Sequence, residues 1–325
     1  SLAATTKTTA RYLAARATQG RLMNFHLKAA SKSIVALTVV SLLATSSPSA
    51  LLAQGAAAPA NVDWRTYEGG NAANSYSPLD QINLNNIKNL EVAWTFPLDS
   101  GASQSSPLVV GKTMYVIGAD SGLVALNAET GQMLWTRPKA LTGRSRGISY
   151  WESKDGKDRR IITFNNQMME ATNADTGKLV ATFGTNGQVD LRVGFVGRAA
   201  DKVRTIQPST PGRVVGDLLI IGGATGEEYG SPPGDIRAFN LVTGKKVWEF
   251  HTIPHPGEFG YDTWPADAYQ KLGGANNWTG AVMDTKRGIL FVPTGSPADD
   301  FAGHERLGNN LFANSLIAID ANTGK

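Results

Sequence analysis

The sequence contains no cysteine. That absence excludes disulfides, thiolate metal centres, iron–sulfur clusters, thioether-linked haem and lipidation at cysteine. A chain of 325 residues has enough apolar core to fold without such staples. Long apolar runs are scarce too. "SIVALTVVSLLA", from Ser33 to Ala44, falls short of the roughly 20 residues that span a bilayer. No glycine-rich phosphate loop follows a strand and opens a helix. Acids are missing from Ser1 to Val62, where six bases lie: Lys7, Arg11, Arg16, Arg21, Lys28 and Lys32. Without them 25 bases face 27 acids, so the formal charge of +4 belongs to the leader and is no argument for nucleic acid.

The leader, residues 1–53, has the order of a secretory signal. Bases precede the apolar run, small residues follow, and cleavage falls near Ala50 or Ala53. The expected location is periplasmic or secreted, with membrane contact at most peripheral. The basic region is long for such a signal. A start at Met23 gives an ordinary length and leaves residues 1–22 as an upstream extension. A mitochondrial-type presequence is the alternative, because Arg, Ser, Thr and Ala dominate. Residues 54–62 form a low-complexity linker, and one large unit, residues 63–325, follows.

What is abundant is glycine, 35 residues, and tryptophan, seven, which favours a turn-rich β-protein. One motif recurs: "ALNAETGQMLW" from Ala125, "ATNADTGKLVA" from Ala171, "AFNLVTGKKVW" from Ala238 and "AIDANTGK" from Ala318. "NLEVAWTF", with Trp94, is a partial copy. Each motif opens with strand-like alternation. Asn or Asp then begins a tight turn whose Gly supplies positive φ. The following strand carries Trp, large enough to wedge between sheets. Each copy follows another strand pair, such as "GRVVGDLLIIGG", so each repeat holds two hairpins. The expected fold is all-β, a propeller of four-stranded blades joined by tryptophan docking onto the TG turns. The alternative is a sandwich or solenoid. At about 40–60 residues per repeat the spacing predicts about five blades, and the chain ends inside a motif.

The connections between repeats are more specific. "SRGISYW", "IIGGATGEEYG", "PHPGEFGYDTWP", "GGANNWTGAVMDTKRGILFVPTGSP" and "RLGNNLFANSLIAIDANTGK", with the opening "DWRTYEGGNAANSYSPLDQIN", resemble the pyrroloquinoline quinone (PQQ) dependent dehydrogenases. The similarity is to the membrane glucose dehydrogenase-like sugar and alcohol branch. The resemblance implies an eight-bladed propeller holding PQQ and Ca²⁺ or another divalent cation near its axis. It implies an enzyme that oxidises a sugar or alcohol and passes electrons to cytochrome c or ubiquinone.

PQQ is a flat quinone with three carboxylates. Its face suits an aromatic side chain, and its carboxylates suit Arg, hydroxyl and amide donors. Position by position, the resemblance makes Trp278 the residue stacked on the quinone and Arg146 the one that holds it. Gln104, Thr225, Gly226 and Asn276 join the cofactor set. Glu227 becomes a cation ligand, with Glu228 one residue away. Ser296 takes a second ligand slot where many relatives have Asn, and Thr294 stands nearby. The catalytic Asp of the family is expected beyond Lys325. The lack of adjacent cysteines in "PKALTGRSRG" favours the sugar-oxidising branch.

Other signals are bland. His251 and His255 sit on a Pro-broken loop and read as structural, not as a helical metal pair. "GKDRR", Gly156–Arg160, reads as a solvated hairpin tip. Beyond the leader the helical signal is weak, and Leu79–Leu90 reads as a short surface helix or loop. A non-catalytic exported propeller scaffold is the competing function, and it predicts no PQQ binding.

Overall fold

The computed structural model describes residues 62–97, 105–118, 122–140, 146–197, 200–204 and 206–325. The leader and all but the last residue of the linker lie outside them. Four antiparallel meanders follow one another. The first sheet holds β1 (Leu108–Val110), β2 (Thr113–Ile117), β3 (Leu123–Asn127) and β4 (Met133–Arg137). The second holds β5 (Ser149–Glu152), β6 (Arg159–Asn165), β7 (Met168–Asn173) and β8 (Gln188–Asp190). The third holds β9 (Arg213–Val215), β10 (Leu218–Ile221), β11 (Ile236–Asn240) and β12 (Lys246–Phe250). Then come β13 (Gly273–Gly274), β14 (Val282–Asp284), β15 (Ile289–Pro293), β16 (Pro297–Ala298) and β17 (Leu316–Asp320). Here β14, β15 and β17 form a three-stranded sheet, and β13 pairs β16 in a short ladder. The fold is therefore all-β and blade-like: among the described residues three sheets have four strands, one has three, and β13–β16 is a two-stranded ladder. The difference from the expected count of about five blades lies in the partial copy. Residues 91–97 carry Trp94 but join no sheet among the described residues, and long connections take up the remaining length.

The repeat motif does the joining. Asn127 Oδ1 accepts the amide hydrogens of Glu129 and Thr130, and Asn173, Asn240 and Asp320 repeat that turn. The turn glycines have positive φ, as at Gly177 with φ 70°. Gly177 is fixed a second way: a Cβ there would lie 2.7 Å from the Trp135 ring. The Trp135 indole donates to the Ala174 carbonyl at 3.0 Å, Trp94 to Ala128 at 3.1 Å and Trp248 to Ala321 at 3.2 Å. In each case the tryptophan of one unit lies on the TG turn of the next.

One junction differs. The second sheet has Ala181 in the tryptophan slot, and the facing turn has Leu241 where the other copies have Ala. Leu241 is buried in the core between the second and third sheets, with Phe164, Phe183, Leu219 and Phe239. Its carbonyl is not met by an indole. Arg160 donates to it at 2.8 Å and to the Val242 carbonyl at 2.8 Å. The guanidinium lies 5.4 Å from the Trp151 ring centroid and is paired with Asp158 at 2.5 Å. Arg160 is only 3% exposed, which corrects the expectation of a solvated "GKDRR" tip. The tip holds as far as Lys157. Arg160 then turns inward because the neighbouring sheet offers two unpaired carbonyls that burial makes costly to leave unmet.

Residues 62–75 run across β1, β9 and β14. Trp64 bridges Val109 on β1, and the Asn71 carbonyl accepts from Met283 on β14 at 2.8 Å. Arg213 on β9 anchors the segment through Glu68 at 2.7 Å and the Tyr67 carbonyl at 3.0 Å.

Candidate functional site

Meander topology decides where the site lies. In each sheet the hairpin after the first strand and the TG hairpin after the third lie at one end. The connection between the second and third strands, and the crossing to the next sheet, lie at the other. The long connecting loops belong to this second end, so residues far apart in sequence share one rim.

Arg146, on the crossing from the first sheet to the second, and Trp278, on the crossing from the third to the fourth, are brought together. Arg146 Nη1 donates to the Trp278 carbonyl at 3.3 Å, and its guanidinium carbon lies 5.3 Å from the indole centroid. Ser209, which sequence reasoning does not single out, joins them. Its hydroxyl donates to the Trp278 carbonyl at 2.6 Å, and its own carbonyl accepts from the Arg146 amide at 3.0 Å. The Trp278 side chain is 47% exposed, unlike the docked tryptophans of the repeat. An indole held by its backbone and left open is available to a flat ligand.

The other residues surround this pair. Asn276 Nδ2 donates to the Gly223 carbonyl at 2.9 Å, tying the Trp278 loop to the loop of Thr225, Gly226 and Glu227. The Ser296 carbonyl accepts from Ala275 at 2.7 Å, and the Ser296 hydroxyl lies 3.3 Å from Asn314 Oδ1. Thr294 Oγ1 is committed to the Phe312 carbonyl at 2.5 Å. The Glu227 carbonyl accepts from Asp300 at 3.3 Å, and its side chain is exposed. Gln104 falls outside the described residues. Asn314, like Ser209, escapes sequence reasoning: neither lies in a motif with a chemical meaning of its own, and each matters only through what folding sets beside it.

These residues fit the group that the resemblance implies. Thr225 Oγ1 is buried with no hydrogen-bond partner among the described residues, a donor left for a ligand. An open arene face, a guanidinium, an amide and a carboxylate complete a donor set suited to a flat polyanion and a hard cation.

His251 and His255 are drawn together, with ring centroids 3.6 Å apart and planes 14° from parallel. With Glu258 they bring three ligand-type atoms within 4.8 Å of one another. Near-parallel rings point their nitrogen lone pairs side by side rather than at one point, and His251 is engaged in ion pairing. Its Nδ1 lies 2.8 Å from Glu258 Oε1, and its Nε2 lies 3.8 Å from Glu249 Oε2. Burial opposes its charge, but the Glu249 and Glu258 carboxylates that accept from it and the charge of Asp235 raise its pKa to about 9. That stabilisation is complete below the unfolded value near 6.5 and is lost as pH rises through about 9. Urea unfolding should show about 1–2 kcal/mol less stability at pH 9.5 than at pH 6.5, a figure discounted for the partly solvated ring. His251→Gln should flatten that window. An equally steep profile in the variant would remove His251 as its source.

The repeated antiparallel sheets, with their long loops gathered at one rim, are those of a β-propeller domain. The chain belongs to the PQQ-dependent quinoprotein dehydrogenase family: the family model "glucose/ethanol/alcohol dehydrogenase, beta-propeller domain" matches residues 64–325. Quinoprotein glucose dehydrogenase A of Acinetobacter calcoaceticus is 32% identical over 310 residues, covering 84% of this chain and 38% of that protein. The dehydrogenase subunit of the quinone alcohol dehydrogenase of Gluconobacter oxydans is 31% identical over 294 residues, covering 81% and 36%. The crystal structure of quinohemoprotein alcohol dehydrogenase from Comamonas testosteroni superposes with a TM-score of 0.64 at 26% identity, covering 81% of this chain and 40% of that one. The chain thus spans about 40% or less of the length of these relatives.

Proposed function

We propose that this chain is the PQQ-holding part of a sugar or alcohol dehydrogenase. The observation that carries the reading is the joining of Arg146, Ser209 and Trp278 at one rim, beside the unpartnered Thr225 hydroxyl. Trp278 offers its ring face to the quinone plane. Arg146, Asn276 and Thr225 meet its carboxylate and carbonyl oxygens, with Gln104 and Gly226 in the same set. Glu227 and the Ser296 hydroxyl supply oxygens for Ca²⁺ or a similar hard cation, and Asn314 Oδ1 stands beside Ser296 as a further oxygen. Bound PQQ supplies the two-electron acceptor for substrate oxidation. The protein's part is to fix the plane with Trp278, neutralise negative charge with Arg146 and hold the cation with Glu227.

In the whole protein a carboxylate base takes the hydroxyl proton of the substrate, and electrons pass on to cytochrome c or ubiquinone. The acid-free leader with its short apolar run supports delivery to the periplasm. Equilibrium dialysis of the full chain against PQQ, with and without Ca²⁺, tests the reading. Saturable PQQ binding strengthened by Ca²⁺ is expected, and Glu227→Gln should remove the Ca²⁺ effect. No retention of PQQ under either condition sinks the proposal.

A further inference from the structure

Next to Gly226 lies a cleft of about 300 Å³ lined by Lys202, Arg204, Gly226, Glu228, Tyr229, Gly230, Ser231 and Pro232. That volume is at the lower end of small-molecule sites, which run from about 300 to 1,000 Å³. Its floor is built. Ser231 is 3% exposed, and its hydroxyl has no hydrogen-bond partner among the described residues. A Cβ on Gly226 would lie 2.7 Å from Ser231 Oγ and 2.5 Å from a Glu228 carboxylate oxygen. Glycine at 226 is therefore what leaves room for the buried Ser231 hydroxyl and the Glu228 carboxylate side by side. Another wall comes from Lys202 and Arg204, with the Lys202 ammonium 3.6 Å from Asp201 Oδ2. Lys202 and Arg204 are both exposed; the Arg204 carbonyl is held by Gln167 Nε2 at 2.6 Å.

The chemistry of this cleft is divided. One wall is cationic and suits a carboxylate. The other offers a hydroxyl and a carboxylate, which suit the hydroxyls of a polyol. A neutral sugar has no use for the first wall. We propose that this cleft binds the carboxylate end of an anionic polyol, so that within the sugar and alcohol class this protein takes a polyhydroxy acid. Arg204 and Lys202 are then specificity-determining residues. Glu228 sets the orientation, because it repels the carboxylate and accepts from hydroxyls. The inference rests on reading the adjoining Thr225–Glu227 loop as the cofactor's neighbour, since that loop puts the cleft beside the reacting centre.

Isothermal titration of the full chain with D-gluconate and with D-glucose tests it. Gluconate should bind at least about tenfold more tightly, with an advantage that shrinks as NaCl is raised. R204Q and K202Q should each weaken gluconate by about fivefold and leave glucose unchanged. Both side chains are exposed, and circular dichroism verifies that the fold is kept. Equal affinities for the two ligands, or unchanged gluconate binding in the R204Q/K202Q double variant, overturns the proposal. PQQ's own carboxylates are the other source of this chemistry, so the titration is repeated at saturating PQQ and Ca²⁺. Retained gluconate binding supports a substrate cleft, and displacement of gluconate overturns it. If gluconate binds while PQQ does not, the cofactor reading fails and the cleft stands.

Discussion

Arg160→Met should destabilise the protein by about 3 kcal/mol, whereas Arg159→Met, one residue earlier, should cost no more than about 0.5 kcal/mol. The two arginines carry the same charge in the same strand. Arg159 pairs with Asp175 at the surface, with both partners about two-fifths exposed. Such a pair is screened and contributes little. Arg160 lies between two sheets, where its guanidinium meets the carbonyls of Leu241 and Val242. Methionine keeps much of the volume but removes both donors. Two acceptors are then left without partners at a junction that lacks the indole used elsewhere. Each charge-assisted bond is worth about 1.5–3 kcal/mol, and relaxation or water entry recovers part of the loss. Urea unfolding of the two variants decides it. A difference between them of less than about 1 kcal/mol would show that the carbonyls find other partners.

Trp278→Ala should weaken PQQ binding by about 30-fold or more with little change in the unfolding midpoint. A buried aromatic anchor at a ligand interface typically contributes about 2 kcal/mol or more, roughly 30-fold in affinity. Stability should change little because the ring is half exposed in the free protein and, unlike Trp135 and Trp248, docks on no TG-turn glycine among the described residues. Trp278→Phe keeps a ring face and should recover most of the affinity. Ser209→Ala tests whether the backbone anchor matters: it removes the 2.6 Å bond to the Trp278 carbonyl and should cost about fivefold. Equilibrium dialysis against PQQ measures all three. An alanine variant that binds as tightly as the parent would assign Trp278 to packing.

The repeats are legible in the amino-acid order alone. Strand alternation, the Asx turn and the glycine are local, so "ALNAETGQMLW" and its copies announce two hairpins, and a docked indole where Trp fills the slot. Even the odd junction leaves a trace: Ala181 and Leu241 both break the pattern. The compensation is not legible. Arg160 lies 81 residues from Leu241, in a run that reads as a basic loop tip, and its burial depends on a neighbouring sheet. The same limit applies at the rim. Arg146, Trp278 and Glu227 stand out through resemblance, while Ser209 and Asn314 do not, because a lone serine or asparagine acquires its role from the backbone that folding sets beside it.

By itself, then, the sequence determined an all-β blade repeat, its turn chemistry and the family whose loops it carries, because these follow from short-range periodicity and from motifs within one loop. The tertiary structure decided that Arg146, Ser209 and Trp278 meet, that Arg160 replaces a missing indole, and that Lys202 and Arg204 line one cleft with Glu228. Those pairings join segments tens to more than a hundred residues apart, and only the stacking of one sheet on the next fixes their distances.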